Sequence, residues 1–315
     1  MKTPLNQSES DRIRYVSGQL FTLGSEDRGL TDRGWDGQQR TGDRHVVAFS
    51  LRPVEVHFEG ESPVILAPTT IALVHPNCAY TRQARSDRGQ RTLFLSMDER
   101  TLRSVLARHM SIEPDDQHDL FPMRFGPSDV RSQAMAMQLD RLLLRDRIEM
   151  QPMEFDELAM GIVDQAIGAV IRHKGDARVC ELPEHTKRQQ RGWVDEAIAR
   201  LCHDSGRQWT LNELADSVDL SPAYLSRLFR KHTGHTLSQT LTIVRLIRVI
   251  ERLPDMRGSL TRLAVECGFS SHAHMSTAFQ SVLQLSPSTL ARSDRASRSE
   301  VRRALNSRLR VAPAS

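Results

Sequence analysis

The chain is 315 residues long, with 39% hydrophobic and 26% charged residues, which allows two globular domains, each with its own core. No run approaches the apolar length needed to cross a bilayer, and the start MKTPLNQSES has no apolar signal core, so a membrane-spanning or exported protein is argued against and a cytoplasmic one expected. The formal net charge of +4 is unevenly placed: residues 181–315 carry 20 Lys and Arg against 13 Asp and Glu, and residues 1–180 carry 23 against 26. A basic half joined to a slightly acidic one fits nucleic acid held by one domain only.

Residues 1–43 are polar, rich in Gly, Asp, Arg and Gln, and anchored by Phe21 and Trp35. They predict an irregular lead with one or two short strands near residues 20–23. Next come the β-type runs HVVAFSL (45–51), VEVHF (54–58), PVILA (63–67), TIALVH (70–75) and TLFLSM (92–97), separated by Pro, Gly, Asp and Asn at turn spacing. These predict antiparallel strands in a small barrel or sandwich. The segment HPNCAYTR (75–82) reads as a turn between strands. Its Tyr80 and Arg82 share a face, as an effector contact for an anionic or aromatic molecule or as an ordinary surface pair. Two helices follow, over 128–148 with Val130, Ala134, Met137, Leu142 and Leu143 in register, and over 155–172 with Leu158, Ile162, Ala166 and Val170.

No pair among His45, His57, His75 and His109 stands at the HxH spacing that puts two imidazoles on one strand face, and no carboxylate completes a set. Structural histidines are expected, with no metal. Cys78, Cys180, Cys202 and Cys267 form no CxxC pair and read as reduced, idle or buried thiols. There is no P-loop, no GxGxxG and no nucleophile pattern, so neither a cofactor nor a catalytic residue is assigned and the chain does not read as an enzyme.

Residues 173–190 have little apolar periodicity and contain a proline, which places an interdomain linker at 176–189. A helix is expected from about Arg191, with Val194, Ala197, Ile198 and Leu201 on its apolar stripe, stopping at Gly206. Thr210 and Glu213 form a capping box for the next helix, whose Leu211, Leu214, Ala215 and Val218 face the core. Asp219 occupies a turn where a left-handed backbone is tolerable for Asp. Ser221 and Pro222 supply an N-cap and a first-turn proline. The helix over 222–233 buries Leu225, Leu228 and Phe229 and exposes Ala223, Ser226, Arg227 and Arg230, with Lys231 alongside. A long helix over 236–253 carries Leu237, Leu241, Val244, Ile247 and Ile250 and spans about 25 Å, a rigid spacer to a second unit over 259–283. There Gly268 sits at the turn and Ser271 caps a helix exposing His272, Ala273, His274, Ser276, Thr277 and Gln280.

The second unit repeats the first. Leu211, Leu214, Ala215, Val218, Leu220, Ser221, Leu225, Leu228 and Phe229 recur as Leu260, Leu263, Ala264, Cys267, Phe269, Ser271, Met275, Ala278 and Phe279. Each copy is a helix, a tight turn and a helix, the unit that places a helix end in a DNA groove. Ser226 and Arg227 suit base edges, since Arg bonds guanine through two atoms, whereas Arg230 and Lys231 suit phosphates. The second helix has no fixed positive charge, so its electrostatic hold is expected to be weaker.

The segments LNELADSVDLSPAYLSRLFRKHTG and LTRLAVECGFSSHAHMSTAFQSVLQLSPSTLAR, with the spacer between them, resemble the AraC/XylS family of transcriptional regulators over about residues 190–292. The resemblance implies an α+β chain of two domains. The C-terminal one is all-α, with helix-turn-helix units over 210–233 and 259–283 joined by a long helix. The N-terminal one, over 44–175, is a small antiparallel β barrel or sandwich followed by helices, a cupin-like effector and dimerisation domain. It further implies sequence-specific binding of double-stranded promoter DNA, often with activation. Ala223, Ser226 and Arg227 fall at the base-facing places of one helix, and His272, Ala273, Ser276 and Thr277 at those of the other. A small-molecule effector, an RNA polymerase contact and a homodimer are compatible with it. Family members often carry Arg or Lys where Thr277 and Gln280 stand, and Gly where Asp219 and Gln284 stand. The tail over 293–315 is basic, and Val301, Leu305 and Leu309 fit either a short amphipathic helix or a disordered arm. Two other readings stand beside this one: a DNA-repair methyltransferase fused to such a unit, disfavoured by the scattered cysteines, and a cupin-type enzyme, disfavoured by the missing HxH set.

Overall fold

The computed structural model describes residues 13–32, 35, 37–110, 120–121, 124–141, 150–176, 184–253, 259–283 and 286–288. Its N-terminal part holds strands β1 (Ile13–Ser17), β2 (Phe21–Arg28), β3 (Gln39–Arg40), β4 (His45–Ser50), β5 (Val54–Phe58), β6 (Val64–Leu66), β7 (Thr70–Val74), β8 (Ala79–Ala84), β9 (Gln90–Met97) and β10 (Phe125–Pro127). They form a six-stranded antiparallel sheet, β1-β2-β9-β4-β7-β10, and a four-stranded one, β3-β8-β5-β6. Side-chain alternation explains the layering. Val47, Phe49, Ile71, Leu73, Leu93, Leu95 and Met97 turn one face of the larger sheet to the helices, and Val46, Ala48, Ala72 and Val74 turn the other to Val54, Val56, Phe58 and Leu66 of the smaller sheet. The expected antiparallel sandwich is present, with the larger sheet covered on both faces.

Helices α1 (Glu99–Leu106), α2 (Val130–Asp140) and α3 (Pro152–Asp176) accompany the sheets. The C-terminal part is all-helical: α4 (Glu184–His203), α5 (Leu211–Asp216), α6 (Pro222–Thr233), α7 (Leu237–Arg252), α8 (Leu260–Glu266) and α9 (His272–Leu283).

Several expectations need correction. The polar lead contains β1 and all of β2, and the larger sheet therefore begins well before residue 44. The short strand expected near residues 20–23 is the start of β2, whose remainder escapes a periodicity reading because its buried Glu26 and Arg28 face the space between the sheets. There Arg82 donates to Glu26 at 2.6 and 2.7 Å and Arg28 donates at 2.9 Å. Burial alone would raise the Glu26 carboxyl, but the two guanidiniums outweigh it and hold it below the usual range. The segment expected as a turn over 75–82 is a turn only to Asn77, at φ +57°, and joins β8 at Ala79. Helix α1, unforeseen, starts at Asp98, whose carboxylate accepts from the Thr101 amide at 2.8 Å. Helix α4 starts at Glu184, inside the expected linker. Residues 142–149, with Leu142 and Leu143, residues 177–183 and the tail over 293–315 lie outside the described residues.

The two parts share one apolar core. Ile243, Leu246, Ile247 and Ile250 of α7 and Met275 and Phe279 of α9 belong to the same cluster as Leu139 of α2 and Ile167 of α3. At the end of α7, the buried Glu251 accepts from Arg52 at 2.6 Å and Arg88 at 3.0 Å, and Arg91 stands 3.6 Å away. Burial pushes its carboxyl up, and the three cations more than reverse that, holding it low. On α6, burial, with Arg191, Lys231 and His173 alongside, pushes His232 down to about 4.

Removing one member of a buried ion cluster leaves the rest uncompensated. Glu251→Gln is expected to lower stability by about 3 kcal/mol, read as a shift of the urea unfolding midpoint. His232 has a folded pKa below that of an unfolded histidine, so its neutral ring stabilises the fold above about pH 6.5 and that contribution is lost as pH falls toward 4. The thermal midpoint is expected to fall from pH 7 to pH 5, and His232→Leu to make that fall shallower. His45 and His235, also held low by burial, leave a residual slope.

Candidate nucleic-acid interface

The repeat seen in the sequence is a repeat of hydrogen bonds. In the first unit the Thr210 side chain accepts from the Glu213 amide, and Glu213 accepts from the Thr210 amide at 2.8 Å, closing the capping box on α5. These bonds, with Arg207, hold the Glu213 carboxyl at about 2. In the second unit Ser259 caps α8. After α5 the Val218 and Leu220 amides donate to the Ala215 carbonyl; after α8 the Cys267 and Phe269 amides donate to the Ala264 carbonyl. Asp219 at φ +55° and Gly268 at φ +89° occupy equivalent turn positions, and the left-handed backbone expected of Asp219 is present. A Cβ at Gly268 would stand 2.5 Å from the Ser205 carbonyl and 2.8 Å from Arg245 Nε, so that turn is closed to a side chain. Ser221 caps α6 with Pro222 in its first turn, and Ser271 does the same for α9, accepting from the His274 amide at 3.1 Å.

These caps fix which faces of α6 and α9 are outward. Leu225, Leu228 and Phe229 are buried, and Ala223, Ser226, Arg227, Arg230 and Lys231 are exposed. On α9, Met275, Ala278 and Phe279 are buried; Ser271, His272, Ala273, His274, Thr277 and Gln280 are exposed and Ser276 is half-buried. The positions assigned from the sequence to the DNA-facing side are thus exposed except for half-buried Ser276, and of the three basic ones the Lys231 ammonium turns back to Gln190 Oε1 at 3.0 Å. Among the described residues Arg230 has no ion-pair partner, and Arg227 lies over the Tyr224 ring at 5.6 Å. The histidines of the second helix are tied locally, His274 Nδ1 to Ser270 Oγ at 3.0 Å and His272 Nε2 to Ser276 Oγ at 3.4 Å.

The far ends of both helices rest on the N-terminal part. The His173 ring nitrogen donates to the Lys231 carbonyl at 2.9 Å, and Arg131 Nε donates to the Val282 carbonyl at 3.2 Å. Last-turn carbonyls lack partners within a helix, so basic side chains suit that place. Sequence reasoning missed these residues, and also Arg245, which is buried on α7 and donates to the Ser205 and Arg207 carbonyls at 2.8 and 2.9 Å. No local pattern marks pairs so distant in the chain.

The proposed effector pair divides. Tyr80 packs near Phe58 at 5.7 Å, while Arg82 is buried on Glu26 and lines a cleft of about 700 Å³ with Trp35, Glu55 and His57. His45 and His75 meet edge to face at 5.4 Å, and His109 bonds Asp164 at 3.1 Å. Among the described residues no three His, Cys, Asp or Glu converge as metal ligands. Burial pushes the Cys202 thiol up to about 12 and raises that of Cys267, so neither is primed as a nucleophile; Cys180 lies outside the described residues. No helix among the described residues is long and apolar enough to cross a membrane.

Comparison with known proteins bears on the C-terminal third. The family described as Helix-turn-helix domain matches residues 214–293. The chain is 37% identical over 101 residues to the HTH-type transcriptional activator RhaS of Pectobacterium atrosepticum, covering 32% of this chain and 36% of that protein. It is 30% identical over 100 residues to an uncharacterized HTH-type transcriptional regulator of Haemophilus influenzae, covering 32% and 34%. The chain thus spans about a third of the length of the curated relatives it matches. Among solved structures, the DNA-binding domain of AdpA in complex with a target DNA is 26% identical, at a TM-score of 0.32, covering 34% of this chain and 96% of that one. ToxT of Vibrio cholerae is 11% identical, at a TM-score of 0.36, covering 87% and 98%. Residues 214–293 thus match a helix-turn-helix domain, and about a third of the chain is similar to HTH-type transcriptional regulators.

Proposed function

We propose that the protein is a cytoplasmic, sequence-specific transcription regulator that binds double-stranded promoter DNA through α6 and α9, in the manner of an activator. The observation that carries the reading is the paired turn geometry, which leaves the outer faces of two equivalent helices free while their inner faces are buried. Arg227 reads a base edge, with Ala223 and Ser226 beside it, and Arg230 holds a phosphate. Ser271, His272, Ala273, His274, Ser276, Thr277 and Gln280 make the second contact, which has no Arg or Lys. The names of the relatives support regulation over catalysis, and that of RhaS supports activation. The cleft beside Arg82 is the place for a small-molecule effector.

Arg227→Ala is expected to cost about 1 to 3 kcal/mol on the preferred site and to relax preference at one base pair, read by selection from a random DNA pool and by titration. An unchanged preference and affinity would remove Arg227 from the interface. Arg230→Ala should weaken all sequences alike and reduce the slope of log affinity against log salt by about one; a loss confined to one sequence would contradict its phosphate role.

A further inference from the structure

We propose that Gln190, on α4, is a positioning residue for the first recognition helix, holding the platform on which Arg227 is aimed. The proposal rests on the DNA-binding reading above. Gln190 is 6% exposed, and both ends of its amide are engaged with α6. Its Oε1 accepts from Lys231 Nζ at 3.0 Å, and its Nε2 donates to Tyr224 Oη at 3.1 Å. Tyr224 and Lys231 are seven residues apart, two turns on one side of the helix. One buried side chain therefore ties the first and last turns of α6 to α4.

The tie reaches the reading residue through Tyr224. Its ring is held edge to face by Trp193 at 6.2 Å, and its hydroxyl by Gln190. Arg227, three residues on and therefore a neighbour on the helix surface, lies over that ring at 5.6 Å. An exposed arginine otherwise samples many rotamers and loses that freedom on meeting a base. A cation held over an aromatic face starts with fewer. Fixing the ring fixes the platform, and so the direction from which the guanidinium approaches the groove. The Lys231 ammonium, turned to Gln190, belongs to this tie.

The test uses the full-length protein. Gln190→Met keeps the volume and removes both hydrogen bonds; Gln190→Glu keeps the acceptor for the Lys231 ammonium and replaces the donor to Tyr224 with a carboxylate oxygen to which the Tyr224 hydroxyl itself donates. In selection from a random DNA pool, Gln190→Met should reduce preference about threefold at the same base pair that Arg227→Ala relaxes, and should add nothing to Arg227→Ala in the double variant. Gln190→Glu should keep the wild-type preference. A folded Gln190→Met with unchanged preference, a Gln190→Glu as impaired as Gln190→Met, or additive losses in the double variant would each overturn the proposal. If Gln190→Met does not fold, Tyr224→Phe, which removes only the hydroxyl, should weaken preference at that base pair, and an unchanged preference there overturns the role. A wild-type protein that selects no sequence overturns both this role and the DNA-binding reading. One that selects, and loses preference with Arg227→Ala but not with Gln190→Met, overturns only the role of Gln190.

Discussion

Helix α7 is buried on nearly every side, and the placement of the other parts follows from it. A spacer with one apolar stripe would leave a wet face. Instead Ile243, Leu246, Ile247 and Ile250 enter the core shared with the sheet-bearing part, and Leu241 enters the separate cluster of the first unit. Its polar groups are equally committed, Arg245 to the loop before α5 and Glu251 to three arginines of the N-terminal part. Helix α7 therefore packs at once against the N-terminal part and both helix-turn-helix units. Close-packed interfaces move between discrete arrangements and do not deform continuously.

Electrostatics divide the two units as packing joins them. The first presents Arg227 and Arg230 on one exposed face, and the second presents hydroxyls, an amide and histidines bonded to nearby serines. Contacts made by neutral donors are short-ranged and depend little on salt, whereas those of arginines draw on the phosphate field. The proposed reader thus has one part that both holds and reads DNA through arginines and one whose contacts are short-ranged.

Much of the C-terminal part was legible in the sequence because its signals are local. Thr210 with Glu213, Ser221 with Pro222, and Gly268 each declare a cap or a turn within four residues, and the 49-residue repeat checks one copy against the other. The first half was legible where apolar residues alternate or run together, as in β4, β5, β7 and β9, and where they recur at helical spacing, as in α2 and α3. Strand β2 was legible only at its start near residues 20–23; its continuation was lost because its inner face is charged and satisfied by Arg82, more than fifty residues away. The start of α4 was lost because its first turns are polar, and with it Gln190, whose partners lie on another helix. Interdomain pairs such as Arg52 with Glu251 leave no mark on periodicity at all.

The two equivalent turns differ in what surrounds them. Gly268 is walled in by the Ser205 carbonyl and Arg245, while Asp219 already carries a side chain at the same backbone angle. The first turn therefore accepts a side chain at the left-handed angle that Asp tolerates, and the second admits only glycine.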